Sequence, residues 1–428
     1  MTRLKRDEVV VLIGAGASVE AGIPHSAQMV ERIEDLITTN KEWQKFHDLY
    51  WFVRSAIFFA QGMKGRIGPQ VSYNIERLVT NLEELAKRDE HTLFPFIGSW
   101  NPKLLEVAGS QFEKIDEFRR KIIDILRREW LAVDRYDRAK YYEGLIEFQS
   151  EFQHPLRIFS LNYDLCIERV CLEKLGRYPQ RGFVDRTWDW RVFDADEFSE
   201  IFLYKLHGSY DWKYVRNDRT VTFVDDPAAI RADETALIFG TTLKLQYEDP
   251  FLFMAYEFRR WTLNSKIIVC IGYGFGDPHI NAILGQALNN NENRLLLSAA
   301  PLMGKSSEEQ QSYIADVLEL NRKSNGQVIC WDMRASDFFR KRFRVADIAA
   351  LLPDEPSLFV EISLTGENHG QVRDIDNASS VLERTVVVGE VDGVEHDAEA
   401  TFINDGAEIN TGEVLLEGEE PMSSGATS

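Results

Sequence analysis

Apolar residues fall along this chain in two rhythms. The first is a solid run, Val9 to Ile13 (VVVLI), too short for a buried helix and rich in β-branched side chains, so it predicts a strand covered on both faces. The second appears in AQMVERIEDLI, WQKFHDLYWFVRSAIFFA, NIERLVTNLEELAKR, FEKIDEFRRKIIDILRREWL and AKYYEGLIEFQSEF, where apolar positions recur every three or four residues. That spacing predicts amphipathic helices, and residues 26–152 read as a helical insertion over the end of the first strand, with its many aromatics in the core.

Solid runs then return in LRIFSL, EIFLYKL, ALIFG, KIIVCIGY, RLLLSAA and QVICWD. Helical patterns separate most of them, at Tyr163 to Leu175, Pro250 to Leu263, Pro278 to Leu288 and Ser307 to Arg322. Strand and helix in alternation predict an α/β fold, a doubly wound (Rossmann-like) parallel sheet with right-handed crossovers. Sheets of that kind bind ligands beyond the carboxyl ends of their strands.

Those ends carry the small and polar residues. The first strand runs into Gly14-Ala15-Gly16-Ala17-Ser18, where two glycines allow a sharp turn and the segment from Ser18 onward is expected to open a helix. Free N–H groups at a helix N-terminus suit a pyrophosphate, but a glycine turn that holds no ligand fits the same residues. Later strands give way to Asn162-Tyr163-Asp164, to His207-Gly208-Ser209 and to Gly274-Phe275-Gly276-Asp277. Four such ends converging on one cleft say more than any one of them.

Charge changes the picture only when it is split. The net of −20 over 428 residues is concentrated after residue 360, where sixteen Asp and Glu face Arg373 and Arg384 for a net of −14, leaving −6 for everything before. No global basic stripe for nucleic acid is visible, although a local patch such as FFRKRFR around Arg340 is present. The PDEPS break divides residues 1–352 from an acidic segment, 353–428, whose alternating pattern favours a small β module over a disordered tail. Cys166, Cys171, Cys270 and Cys330 form no CxxC pair and read as buried thiols, and no HxxxH or HExxH spacing points to a metal. Without an apolar run of about 18 residues or a signal-peptide core, a cytosolic location is expected.

GAGAS with GIP, NYD after a strand, LHGS after the next and GYGFGDPHIN after another resemble the sirtuin superfamily, in that family's order, over roughly residues 7–350. NYD in place of QNxD, and the late GYGFGD, look like the bacterial sirtuin-like NAD-hydrolysing effectors of anti-phage defence. The resemblance implies that NAD is the substrate, with Gly14, Ala15, Gly16, Ala17 and Ser18 at its pyrophosphate and Gly272, Tyr273 and Gly274 near its adenosine half. It also implies that Asn162 lies beside the nicotinamide ribose, that Asp164 is the neighbouring acid and that His207 is the general base.

The chain departs from the deacetylating members. It lacks the spacing of a Cys-paired zinc module, carries Ser26-Ala27 after His25 where they have Phe-Arg, and has Leu161 before the Asn. These departures favour water as acceptor and no bound zinc. The resemblance further implies a homo-oligomer controlled by a separate partner, such as a HerA-type hexameric ATPase. A protein deacylase or ADP-ribosyltransferase is the alternative within the family. A non-catalytic nucleotide-binding regulator or a nuclease subunit of a defence complex is the alternative outside it.

Overall fold

A computed structural model describes residues 4–67, 71, 73–87, 102–131, 136–195, 199–239, 249–321 and 324–353. The chain divides into two units, Met1–Pro353 and Asp354–Ser428. The acidic C-terminal β module expected from the sequence lies outside the described residues.

The first unit is built on β1 (Val9–Ile13), β2 (Leu156–Ser160), β3 (Phe183–Val184), β4 (Thr187–Trp188), β5 (Ile201–Lys205), β6 (Gly208–Val215), β7 (Thr220–Phe223), β8 (Thr235–Leu237), β9 (Ile267–Ile271), β10 (Leu295–Ala299) and β11 (Val328–Trp331). Six of these form one sheet in the order β11-β10-β9-β1-β2-β5, with every neighbouring pair parallel. The doubly wound α/β fold is therefore as the sequence predicts. Strand order reverses between β1 and β9, and the crevice at such a reversal is where open α/β sheets take ligands.

The solid apolar runs follow from burial on both faces. Val9, Val11 and Ile13 pack into the layer shared with the insertion helices, while Val10 and Leu12 pack against the helices Phe251–Asn264 and Pro278–Asn290. Successive side chains of a strand point to opposite faces, so a central strand with two covers has no polar position. Each of these side chains contributes roughly 1.5–3 kcal/mol by leaving water.

The described part of the insertion is dominated by helices, at Ser26–Thr39, Lys41–Gln44, His47–Gly62, Ile75–Ala86, Pro102–Ala108, Glu113–Ile125 and Glu143–Phe152. One expectation needs correction at its start. No α-helix opens at Ser18; Ala15–Ala21 is a 3₁₀ turn, and the first α-helix begins at Ser26 behind His25. The His25 side chain accepts from Gln28 N, and Gln28 returns a bond to His25 N. This reciprocal cap gives His25 a structural task, and burial lowers its pKa, with Glu31 partly opposing.

A second correction concerns ALIFG. Its β8 belongs not to the parallel sheet but to an antiparallel one of order β3-β4-β7-β6-β8, which the periodicity did not predict. The hairpin of β6 and β7 pairs Trp212 with Phe223 and Tyr214 with Val221 across a polar turn. The basic cluster near Arg340 is also largely neutralised: Arg344 pairs with Glu147 and Glu151, and Lys341 with Asp337.

Candidate functional site

Register places the candidate residues in one row. Ile271 of β9, Ile13 of β1, Ser160 of β2 and Lys205 of β5 are successive partners across the sheet, so four strands end level. The ladder runs one residue further: Gly14 N donates to Ile271 O, Leu161 N to Ile13 O and Leu206 N to Ser160 O, each at 2.9 Å. Asn162 and His207 stand at matching positions, two residues beyond the ends of adjacent strands. They are 6% and 3% exposed.

The turn after β1 is tied to the loop after β9 rather than left open. Gly16 N donates to Gly272 O at 2.9 Å and Ala17 N to Gly14 O at 3.0 Å, so with Gly14 three N–H groups of this turn are bonded within the protein. A Cβ on Gly14 would stand 2.6 Å from Gly272 O and from Tyr273 Cα, and one on Gly16 would stand 2.8 Å from Gly272 O. The glycines at 14 and 16 are thus required by the approach of another backbone, and they give no separate support to a phosphate contact. Of the five residues assigned to the pyrophosphate, Ala15 and Gly16 are exposed, while Gly14, Ala17 and Ser18 are buried.

Two tyrosines of the insertion hold this turn from behind. Tyr141 donates its hydroxyl proton to Ala17 O at 2.5 Å, and the Tyr142 hydroxyl bonds Ser18 Oγ at 2.9 Å. Burial pushes both hydroxyls far above the ordinary tyrosine range, so they remain protonated donors. Ser18 Oγ also accepts from Asn162 Nδ2 at 2.9 Å, and the same nitrogen donates to Gly14 O at 3.0 Å. A carbonyl oxygen can only accept, which fixes the amide's orientation. The opposite atom, Asn162 Oδ1, is buried without a hydrogen-bond partner.

His207 shows a similar asymmetry. Its Nδ1 is buried without a partner, and its Nε2 lies 3.1 Å from Asp277 Oδ2, close enough for an ion pair although not aligned as a formed hydrogen bond. Two buried polar atoms in need of partners, at neighbouring strand ends, are what a bound polar ligand would satisfy.

Asp164 follows Asn162 by two residues. It is 4% exposed, its Oδ1 accepts from Cys166 N at 3.0 Å at the start of the helix Cys166–Leu175, and its carbonyl accepts from Lys205 Nζ at 2.5 Å. Lys205, 1% exposed, is 3.5 Å from Glu168 Oε1, and Arg181 Nη1 reaches Glu168 at 3.4 Å and Asp211 at 2.8 Å. Burial pushes the Glu168 carboxyl up, with Lys205 and Arg181 pulling it back. This buried network pins the ends of β2 and β5 behind the candidate pair. Sequence reasoning missed it because its members are scattered singly through apolar and loop stretches. Asp277 lies within GYGFGDPHIN, but nothing in the spacing links it to His207.

Tyr273 is buried and Gly274 exposed, on a loop that runs from Gly272 to Asp277. From the end of β9, Asp277 reaches His207 just beyond β5, three strands away, so the loop crosses the ends of β1 and β2. Six residues can bridge the ~14 Å of three strand spacings. Cavities of about 390 Å³ (Pro301, Asp332, Met333, Arg334, Asp337, Lys341) and 470 Å³ (Val184, Thr187, Trp188, Asp189, Trp190, Arg191) lie elsewhere, and neither is lined by Asn162 or His207. Among the described residues no group of three or more His, Cys, Asp or Glu side chains is arranged to hold a metal, and no helix is long and apolar enough to cross a membrane. All four cysteines are buried and free, as expected.

Among solved structures, the chain is similar to a Sir2 homologue in complex with NAD, at 14% identity and a TM-score of 0.35, over 80% of this chain and 90% of that one. A Sir2 homologue mutant with 2'-O-acetyl ADP ribose gives 13% identity and a TM-score of 0.35, over 81% and 94%. A Sir2 complex with a p53 peptide and NAD+ gives 11% and 0.31, over 78% and 90%. At these identities and scores the likenesses assign no residue. No curated protein sequence matches the chain. A family model does: residues 156–319 match the SIR2-like domain, the stretch that carries Asn162, His207 and Asp277.

Proposed function

We propose that this chain is a sirtuin-like NADase, which hydrolyses NAD to nicotinamide and ADP-ribose. The observation that carries the reading is the register-matched pair of Asn162 and His207, each presenting a buried polar atom without a protein partner. The match of residues 156–319 to the SIR2-like domain adds to it.

The reaction leaves positive charge on the ribose as the nicotinamide bond breaks, so it asks for a positioned acceptor and a base. Asn162 is held by Gly14 O and Ser18 Oγ so that Oδ1 can orient a water or a ribose hydroxyl without competing as a base. His207, when neutral, takes the proton from that water or hydroxyl, a role worth ~10² to 10⁴ in rate. Asp164 is the neighbouring acid of the pair, its Oδ1 held by Cys166 N. The dinucleotide is assigned to the exposed backbone of Ala15 and Gly16, with the adenosine half along Gly272, Tyr273 and Gly274. Water is the acceptor, and no zinc takes part.

We further propose, on the motif resemblance alone, that the activity is an effector of anti-phage defence acting by NAD depletion in the cytosol. It is held off through self-assembly and a partner such as a HerA-type ATPase until triggered. The test is to incubate full-length protein with NAD, alone and with candidate ATPases, and to quantify products. Nicotinamide and ADP-ribose should appear in equal amounts without any acylated peptide. Release that depends on a peptide would move the assignment to a deacylase.

A further inference from the structure

We propose that Asp277 is the positioning residue of His207: its carboxylate holds the imidazole as the Nε2–H tautomer, so that Nδ1 is the nitrogen that takes the proton. The inference rests on the reading of His207 as the base.

Asp277 is fixed from several sides. Its Oδ1 accepts from His279 N at 3.0 Å and Ile280 N at 3.4 Å, capping the helix Pro278–Asn290, whose first residue is a proline. Its backbone N donates to the Tyr273 hydroxyl at 3.3 Å, and that hydroxyl donates to Asn281 Oδ1 at 2.8 Å. Asn281 Nδ2 in turn donates to Phe275 O at 2.8 Å. The whole loop is therefore braced on the helix it precedes, and Oδ2 is delivered 3.1 Å from His207 Nε2.

An ionised carboxylate can only accept, so the nitrogen facing it carries the proton. The lone pair is then on Nδ1, the atom that is buried without a partner. When Nδ1 takes a proton from water or a ribose hydroxyl, the imidazole becomes an imidazolium, Nε2 keeps its hydrogen, and Asp277 stays ionised and stabilises the new charge. The imperfect alignment of the pair is usual for catalytic hydrogen bonds before substrate binds. Tyr163, whose ring centroid is 6.4 Å from that of His207, and Tyr273 surround the pair. Their hydroxyls are pushed far up, first by burial and then by Glu76, Asp277 and Glu83 for Tyr163 and by Asp277 and Glu76 for Tyr273. Both hydroxyls therefore stay protonated around neutrality, and the charged groups that bear on these two tyrosines are the carboxylates of Asp277, Glu76 and Glu83.

Asp277→Asn and Asp277→Ser test this, because Asn and Ser cap helices about as well as Asp and the fold should survive. Turnover should fall by about 10²- to 10⁴-fold, the scale for a general base or the carboxylate that orients it. The rising limb of the pH profile should also move to lower pH, because a neighbouring carboxylate favours the protonated imidazole and its loss makes the imidazole less basic. A loss of turnover with an unmoved midpoint would reduce Asp277 to a helix cap and overturn the proposal. A second readout does not need activity: imidazole ¹⁵N resonances of the full-length chain, with His207 identified by its absence in His207→Gln. Wild-type His207 should carry its proton on Nε2, and Asp277→Asn should lose that preference. A proton on Nδ1, or the same tautomer in both proteins, contradicts the proposal even if no nicotinamide release is found, whereas the predicted shift without release would leave the pair standing and fault the NADase reading.

Discussion

Two glycine-containing segments leave adjacent strands at the same level, and they use glycine for opposite ends. In the turn after β1, Gly14 and Gly16 sit against the backbone of Gly272, and a Cβ on either would meet it at 2.6–2.8 Å. In the loop after β9, Gly274 and Gly276 have nothing within 4 Å of where a Cβ would stand, and both are exposed, whereas Tyr273, Phe275 and Asp277 between them are buried. The left-handed backbone in that loop falls on Gly272, at φ +63°, and on Phe275, at φ +55°. One segment is locked so that Asn162 has a fixed carbonyl and hydroxyl to bond. The other alternates side chains inward to carry Asp277 across the sheet. A glycine-rich strand end therefore does not by itself identify a phosphate cradle; what a Cβ would strike decides its role.

Substitutions can break or sharpen that contrast. The largest effect is expected at Gly272→Ala, where the added Cβ would lie 2.1 Å from Ala17 N on a left-handed backbone. Denaturant unfolding of the first unit should show a loss of roughly 2–5 kcal/mol, the sum of backbone strain and overpacking. Gly14→Ala lacks the conformational strain and should lose about 1–3 kcal/mol in the same assay. Gly274→Ala should change stability by less than about 0.5 kcal/mol. Should Gly274→Ala prove as damaging as Gly14→Ala, the two segments are not the distinct devices described.

Much of the fold was legible because strands covered on both faces are dominated by apolar residues, so β1, β9 and β11 are solid runs and β2, β5 and β10 are nearly so, interrupted by single residues such as Arg157, Lys205 and Ser298. The antiparallel sheet was not, since β3 and β4 are two residues long and β6 and β7 mix charged and aromatic residues around a polar turn. Asn162 and His207 could be singled out because polar residues that follow apolar strands fall at one edge. Their partners could not: Tyr142 meets Ser18 over 124 positions, and Asp277 reaches His207 over two intervening strands. Ser18 was legible only as part of the glycine turn, and its burial and its bonds to Tyr142 and Asn162 were not.

The central claim is that Asn162 and His207 act together on one substrate, and a double-mutant cycle on nicotinamide release tests it most directly. Under conditions where the wild-type turns over, His207→Ala and Asn162→Ala should each lower turnover by about 10²- to 10⁴-fold, with unfolding curves close to that of the wild-type. Because both would serve the same transition state, the double variant should lose far less than the product of the two. Full activity in either single variant, or strictly multiplicative losses in the double, would contradict the account.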